Sequence, residues 1–270
     1  MLSKQFFKRF FKPKKVNKYG WKPDLPDHRD VKYTLAAREM APLPPKVDLR
    51  HDCPPVYDQK TLGSCTANAS GAACHYEMMQ NNLLIYPPSR LFIYYNTRTI
   101  EGTTGEDSGA SIRDTIKSLA TYGYCAEALW AYDINKFTRK PPDSAYVTAS
   151  KNKLAAINYM RVEQREHDLK ACLAQGNLIV FGFTIYESFE TPEVAKTGNA
   201  PMPGTTERSI GGHAVTLVGF NDETKQFIVR NSWGTAWGQN GYFTLPYAYV
   251  LNSGLASDFW CIKTIPGGTK

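Results

Sequence analysis

The sequence predicts an α+β protein built as two lobes, and three observations carry that prediction. Helical patterns fill the first half of the globular region and strand patterns fill the second, so the elements are segregated rather than alternating. The length of 270 residues suits one large domain or two small ones closing on a cleft. The 16 Tyr, 13 Phe and 5 Trp, within 42% hydrophobic residues, can fill a sizeable core. No apolar run approaches the ~18 residues that span a bilayer, which excludes an integral helical membrane protein. Six Cys are too sparse for a disulfide scaffold.

Residues 2–12 come first. In helical projection Leu2, Phe6, Phe7, Phe10 and Phe11 fall on one side, with Lys4, Lys8, Arg9 and Lys12 on another. Pro13 ends the pattern. Lys and Arg interrupt the aromatics and no apolar h-region follows, so this is not a secretory signal. An internal compartment, or packaging into a particle, is expected over export. The net charge of +7 belongs to residues 1–18, which hold seven Lys and Arg and no acid. Residues 19–270 balance at 25 basic against 25 acidic, so the body carries no nucleic-acid signal. Three readings of the tail stay open. It docks its aromatic face on the body as a pro-segment or plug, it is a solvated tail, or it binds an anionic surface.

Residues 19–46 are rich in Pro and charge and read as an extended strap, not a packed unit. From Val47 the chain reads as globular. Residues 65–81 carry many Ala and no Pro, a helix signal. Residues 88–97 and 110–122 give two more helices, the latter with Ile112, Ile116 and Leu119 at helical spacing. Strand runs follow at 178–185, 214–220, 227–230 and 241–245. Residues 190–212 read as a Gly/Pro/Thr-rich loop. The lobes divide at about 155, with the helical lobe from about 55 and the β lobe from about 156 to 270.

Four residues point to thiol chemistry. Cys65 opens the Ala-rich helix, where the positive helix end stabilises a thiolate. Gln59, six residues earlier, carries an amide that can donate to an oxyanion together with the Cys65 N–H. His213 starts a strand and can take the thiol proton. Asn231 follows another strand, and its amide oxygen can hold the imidazole in the useful tautomer while Trp233 shields that bond. Each has a plainer reading: a buried structural Cys, a surface Gln, a satisfied core His.

Taken together they resemble the papain family of cysteine peptidases, in order over most of residues 47–245. Val47-Asp48-Leu49-Arg50 resembles the start of a mature enzyme, and Gln59 through Cys65 the oxyanion and nucleophile block. Ser108-Gly109 resembles the strip that pairs with substrate backbone, and Gly212-His213-Ala214 the histidine block. Asn231-Ser-Trp-Gly-Thr-Ala-Trp-Gly-Gln-Asn-Gly-Tyr242 is the strongest block. The His lies 148 residues after the Cys, inside the usual ~130–150. The family signature Cys-Gly-[Ser/Ala]-Cys-[Trp/Tyr] is altered: Leu62 replaces its first Cys and Thr66 its aromatic residue. The usual disulfide beside the nucleophile therefore cannot form, as in a bacterial and viral-type subset. The first 46 residues are shorter than the family's usual pro-region and lack its long helical pattern.

The resemblance implies a papain-like two-lobed fold, with a helical lobe, an antiparallel β-barrel-like lobe and the active site between them. It implies a peptidase, read here as an endopeptidase because no insertion that would block one end of the cleft is recognisable. Catalytic roles fall to Cys65, His213, Asn231 and Gln59, with substrate lying along Gly109, Ala214 and Trp233. Ala214 and a residue near Val180 would line the main specificity pocket, with Asp258 or Phe259 at its floor. The partner is a polypeptide substrate, the chain is expected to be a monomer, and no cofactor or metal is expected, there being no Cys-x-x-Cys. Cys74 should point away from the catalytic sulfur. His28, His51, His75 and His167 read as surface or structural. Two alternatives remain: a transferase or isopeptidase on the same thiol, and a catalytically silent scaffold bound to an anionic surface through its tail. A third reading combines them, with residues 2–12 holding an active peptidase off.

Overall fold

The segregation of helices and strands holds in the computed structural model, which describes residues 19–33, 42–81, 86–151 and 157–264. The helix expected over 2–12 lies outside the described residues. In chain order the elements are β1 (Trp21–Lys22), β2 (Lys46–Asp48), α1 (Cys65–Gln80), α2 (Arg90–Ile100), β3 (Ala110–Ser111), α3 (Ile112–Tyr122) and α4 (Asp143–Lys151). There follow β4 (Ile157–Arg161), α5 (Glu166–Ala174), β5 (Ile179–Tyr186), α6 (Pro192–Thr197) and β6 (Ser209–Asn221). Last come β7 (Gln226–Arg230), β8 (Tyr242–Pro246), α7 (Tyr247–Val250) and β9 (Ala256–Thr264).

The three expected helices form within a few residues of their predicted bounds, and local caps explain where two of them start. Ser89 accepts from the Phe92 N–H ahead of α2, and Ser111 accepts from the Asp114 N–H ahead of α3. Gly123, at φ 71°, closes α3 with its N–H on the Leu119 carbonyl. Elements β4, β9, α4 and α5 were not expected. The stretch expected to be a loop, 190–212, contains α6, capped by Thr191 with Pro192 in its first turn. It also contains the first four residues of β6. His213 therefore sits inside a strand rather than starting one.

The strands run β4–β9–β5–β6–β7–β8, with β2 added beside β6, all antiparallel. The terminal strands β4 and β8 do not pair, so the sheet is open rather than barrel-closed. Strand β5 shows why two cores meet at this sheet. Ile179, Phe181, Phe183 and Ile185 face a core shared with Leu169 and Leu173 of α5. Val180, one residue out of phase, faces a second core with Leu91, Ile112 and Ile116 of α2 and α3.

The strap, expected to be extended and unpacked, packs at residues 21 and 22. Trp21 and Lys22 pair in parallel with Ala110 and Ser111 as a two-stranded ribbon. Trp21 is only 9% exposed and belongs to the helical-lobe core. The reason lies in distant small residues, described next.

Candidate active site

Helix α1 begins at Cys65, which is fully buried. Its N-cap, Ser64, makes no side-chain cap; its hydroxyl goes to the Tyr132 hydroxyl, 2.5 Å away. The sulfur takes backbone N–H groups from Ala214, from Gly20 of the strap and from the helix start at Thr66 and Cys65. Burial nevertheless dominates and pushes the Cys65 thiol up to about 11, with those N–H groups pulling the other way. As covered by the strap, the group is a thiol rather than the thiolate expected of a helix N-terminus.

His213 is fully buried in β6, opposite Phe183 of β5. Its Nε2 lies 2.8 Å from Asn231 Oδ1. The Ser232 N–H also donates to that atom at 2.8 Å, and a backbone N–H can only donate, so the atom is the amide oxygen. Nε2 is therefore the protonated nitrogen of the neutral ring, and Nδ1 is its basic one. Trp233 stacks on the imidazole, ring centroids 4.9 Å apart at 22°. Gln59 is fully buried. Its N–H donates to the Ser232 carbonyl at 2.8 Å, its side-chain Nε2 donates to the Leu62 carbonyl at 2.9 Å, and its Oε1 accepts from the Ser232 hydroxyl at 2.6 Å. Ser232, which the sequence did not single out, thus ties the orienting Asn to the Gln beside the nucleophile. Its place directly after Asn231 was the only available signal.

The cleft above these groups holds residues 19–24. The Gly20 carbonyl accepts from the Ala110 N–H at 2.7 Å. The N–H that pairs with the chain in the cleft is thus Ala110's, one residue beyond Gly109. A Cβ on Gly20 would fall 1.8 Å from the Gly63 carbonyl oxygen, and one on Gly109 would fall 2.1 Å from the Gly20 oxygen. Only bare backbone fits there, and Gly109 also has φ +69°. The Trp21 indole lies over Gly182 and Gly212, packed with Val180 and Ala214, the two residues expected to line the specificity pocket. Tyr19 sets its ring edge-on to both His213 and Trp233, each at 6.3 Å between centroids.

Past Trp21 the strap is fixed by charge. Asp24 accepts from the Trp260 indole N–H at 2.9 Å, from Arg161 at 2.9 Å and from the Arg113 N–H at 3.1 Å. Its own N–H donates to Asp258 at 2.8 Å. Burial, with Asp258 beside it, raises the Asp24 carboxyl above its ordinary range. Asp30 completes the cluster on Arg113 and Arg161. Of the two residues considered for a pocket floor, Asp258 therefore meets the strap. Phe259 turns into the sheet core, stacked on Phe181 at 5.2 Å.

The remaining cysteines and histidines stand apart from this chemistry. All six cysteines are unpaired, and Cys74 is buried in the helical-lobe core. His75 is buried, with Nδ1 2.9 Å from the Tyr57 hydroxyl. His28, His51 and His167 are exposed.

The family described as papain family cysteine protease matches residues 43–261. An uncharacterised peptidase C1-like protein of Acanthamoeba polyphaga mimivirus is 44% identical over 270 residues, covering 92% of this chain and 87% of the relative. Among solved structures, xylellain, a cysteine protease from Xylella fastidiosa, is 44% identical with a TM-score of 0.86, over 95% of this chain and 99% of that one. A digestive procathepsin L 3 of Tenebrio molitor larval midgut, 16% identical, shares the fold with a TM-score of 0.67 over 92% of this chain and 76% of its own.

Proposed function

The chain belongs to the papain family of cysteine proteases, and from that premise we propose that it is an endopeptidase held latent by its own residues 19–24. Membership makes it a peptidase, a hydrolase acting on polypeptides. The observation that supports the thiol mechanism is the His213–Asn231 bond of 2.8 Å, buried under Trp233. It fixes the tautomer in which Nδ1 can accept the thiol proton. In the open cleft the Cys65 proton passes to His213 Nδ1 and the sulfur attacks the scissile carbonyl carbon. The developing oxyanion is held by the Cys65 N–H and the Gln59 amide. His213 returns the proton to the leaving amine, leaving a thioester. Water, deprotonated by His213, then attacks the thioester and releases the acid and the thiol.

Residues 19–24 pack against the candidate site. The sulfur of Cys65 takes N–H groups from Ala214 and from Gly20 of the strap. The Gly20 carbonyl accepts from the Ala110 N–H. These contacts support a latency that rests on residues 19–24.

The test is labelling with an epoxide inhibitor of papain-type enzymes, followed by peptide mapping, on the full chain and on Trp21→Ala. Labelling at Cys65, faster in Trp21→Ala, with internal cuts in casein that Cys65→Ala abolishes, is the expected result. Folded protein that labels in neither form would remove the peptidase mechanism. Release of single residues from casein ends would remove the endopeptidase reading.

A further inference from the structure

We propose that Asp107 and Tyr94 are positioning residues of the peptidase, forming a polar tie that sets the spacing of the two backbone walls that grip a chain in the cleft. The inference rests on the peptidase reading and extends it to residues outside the catalytic group. Gly63, two residues before the nucleophile, donates its N–H to both oxygens of Asp107, at 3.1 and 3.0 Å. The Tyr94 hydroxyl donates to Asp107 Oδ1 at 2.5 Å and accepts the Gly109 N–H at 3.1 Å. One carboxylate and one phenol thus join the loop that carries Cys65 to the strip that pairs with chain in the cleft. Tyr94 is fully buried on α2, so its hydroxyl is held by packing.

The two tied walls are the ones that enclose Gly20. The Gly63 carbonyl lies where a Cβ on Gly20 would fall, and the Gly20 oxygen lies where a Cβ on Gly109 would fall. A Cβ at either glycine would overlap the facing backbone, at 1.8 and 2.1 Å, so a small shift of either wall would misplace any backbone lying there. In the family signature the residue before Gly63 is a Cys; here it is Leu62, and no covalent brace holds this loop. Hydrogen bonds donated to Asp107 by the Gly63 N–H and the Tyr94 hydroxyl take over that bracing. Unlike a disulfide, they need no oxidising compartment.

A positioning role and a merely structural one separate by substrate length. A peptide amide long enough to lie along both walls needs the slot; p-nitrophenyl acetate needs only Cys65, His213 and the oxyanion donors. Both substrates need the strap displaced, so that factor cancels in their ratio. In the full chain, Asp107→Asn removes the charge and sets an amide donor in place of Oδ2, against the Gly63 N–H. Tyr94→Phe keeps the ring and removes only the link to Gly109. The expected result is a fall of about tenfold or more in peptide kcat/KM for Asp107→Asn, and a smaller fall for Tyr94→Phe, with acylation by the ester unchanged in both. Equal falls for peptide and ester, or no fall for peptide while the unsubstituted chain turns over, would overturn the tie alone. An unsubstituted chain that acts on neither substrate would overturn the peptidase reading and the tie with it.

Discussion

The indole of Trp21 stands where any side chain on Gly182 would have to stand: a Cβ there would fall 1.9 Å from Trp21 Cε2. Gly212 leaves the remaining room, its Cβ position lying 2.7 Å from Cε3. Burying a large aromatic stabilises docking by about 3 kcal/mol before the cost of its unpartnered indole N–H. Gly182→Val therefore evicts Trp21, and iodoacetamide should alkylate Cys65 about tenfold faster or more than in the unsubstituted chain. Equal rates would show that Trp21 does not gate the sulfur.

The Cys65 thiol sits at about 11 under the strap because burial disfavours its charge. Docking therefore favours the protonated thiol, and raising the pH toward that value weakens docking. Alkylation of the full chain should climb steeply only in the alkaline range. In Trp21→Ala, with the sulfur wetted and His213 able to carry the proton, the midpoint should fall to about 7 or below. Superimposable pH–rate curves for the two forms would contradict this.

Removing the Gln59 amide should slow turnover without touching the nucleophile. Gln59→Ala is expected to lower kcat ~10²-fold or more, since one oxyanion donor is lost. Alkylation of Cys65 by iodoacetamide forms no oxyanion and should be unchanged. A parallel loss in both assays would instead mean that the Ser232–Gln59 contacts hold the loop itself.

His75 supplies an acid sensitivity that has nothing to do with catalysis. Burial, with Arg230 nearby, lowers its pKa from 6.5 to about 4. The unfolded chain then binds the extra proton first, so stability falls as pH drops from about 6.5 to about 4. His75→Gln should flatten the dependence of Tm on pH over that window. An unchanged slope would place the sensitivity elsewhere.

The candidate group of Cys65, His213, Asn231 and Gln59 was legible in the sequence because each member sits in a short block with its own chemical logic. Helices α1 to α3 were legible from Ala content and apolar spacing. Strand β9 was not, because Ser257, Asp258 and Lys263 interrupt its hydrophobic pattern. The packing of Trp21 was hidden for another reason. A Trp among prolines and charges reads as loop, and its burial depends on Gly182 and Gly212, absent side chains on strands far along the chain. The Asp107–Tyr94 tie was equally invisible, since an Asp in a polar turn carries no local sign of a partner at Gly63.

Residues 19–24 and the site they cover are parts of one polypeptide, so in the proposed latent form the strap would be a tethered inhibitor. Its grip would be unimolecular, governed by an effective concentration rather than by the amount of enzyme. Dilution leaves such a grip untouched. One backbone cut between Asp30 and Val47 converts the strap into a separate ligand, present only at the concentration of the enzyme itself. The Trp21 contact and the Asp24–Arg161 pair would then hold it by affinity alone. From that moment the proposed latency would become reversible by dilution, and the same set of contacts that would silence a crowded preparation would release a sparse one.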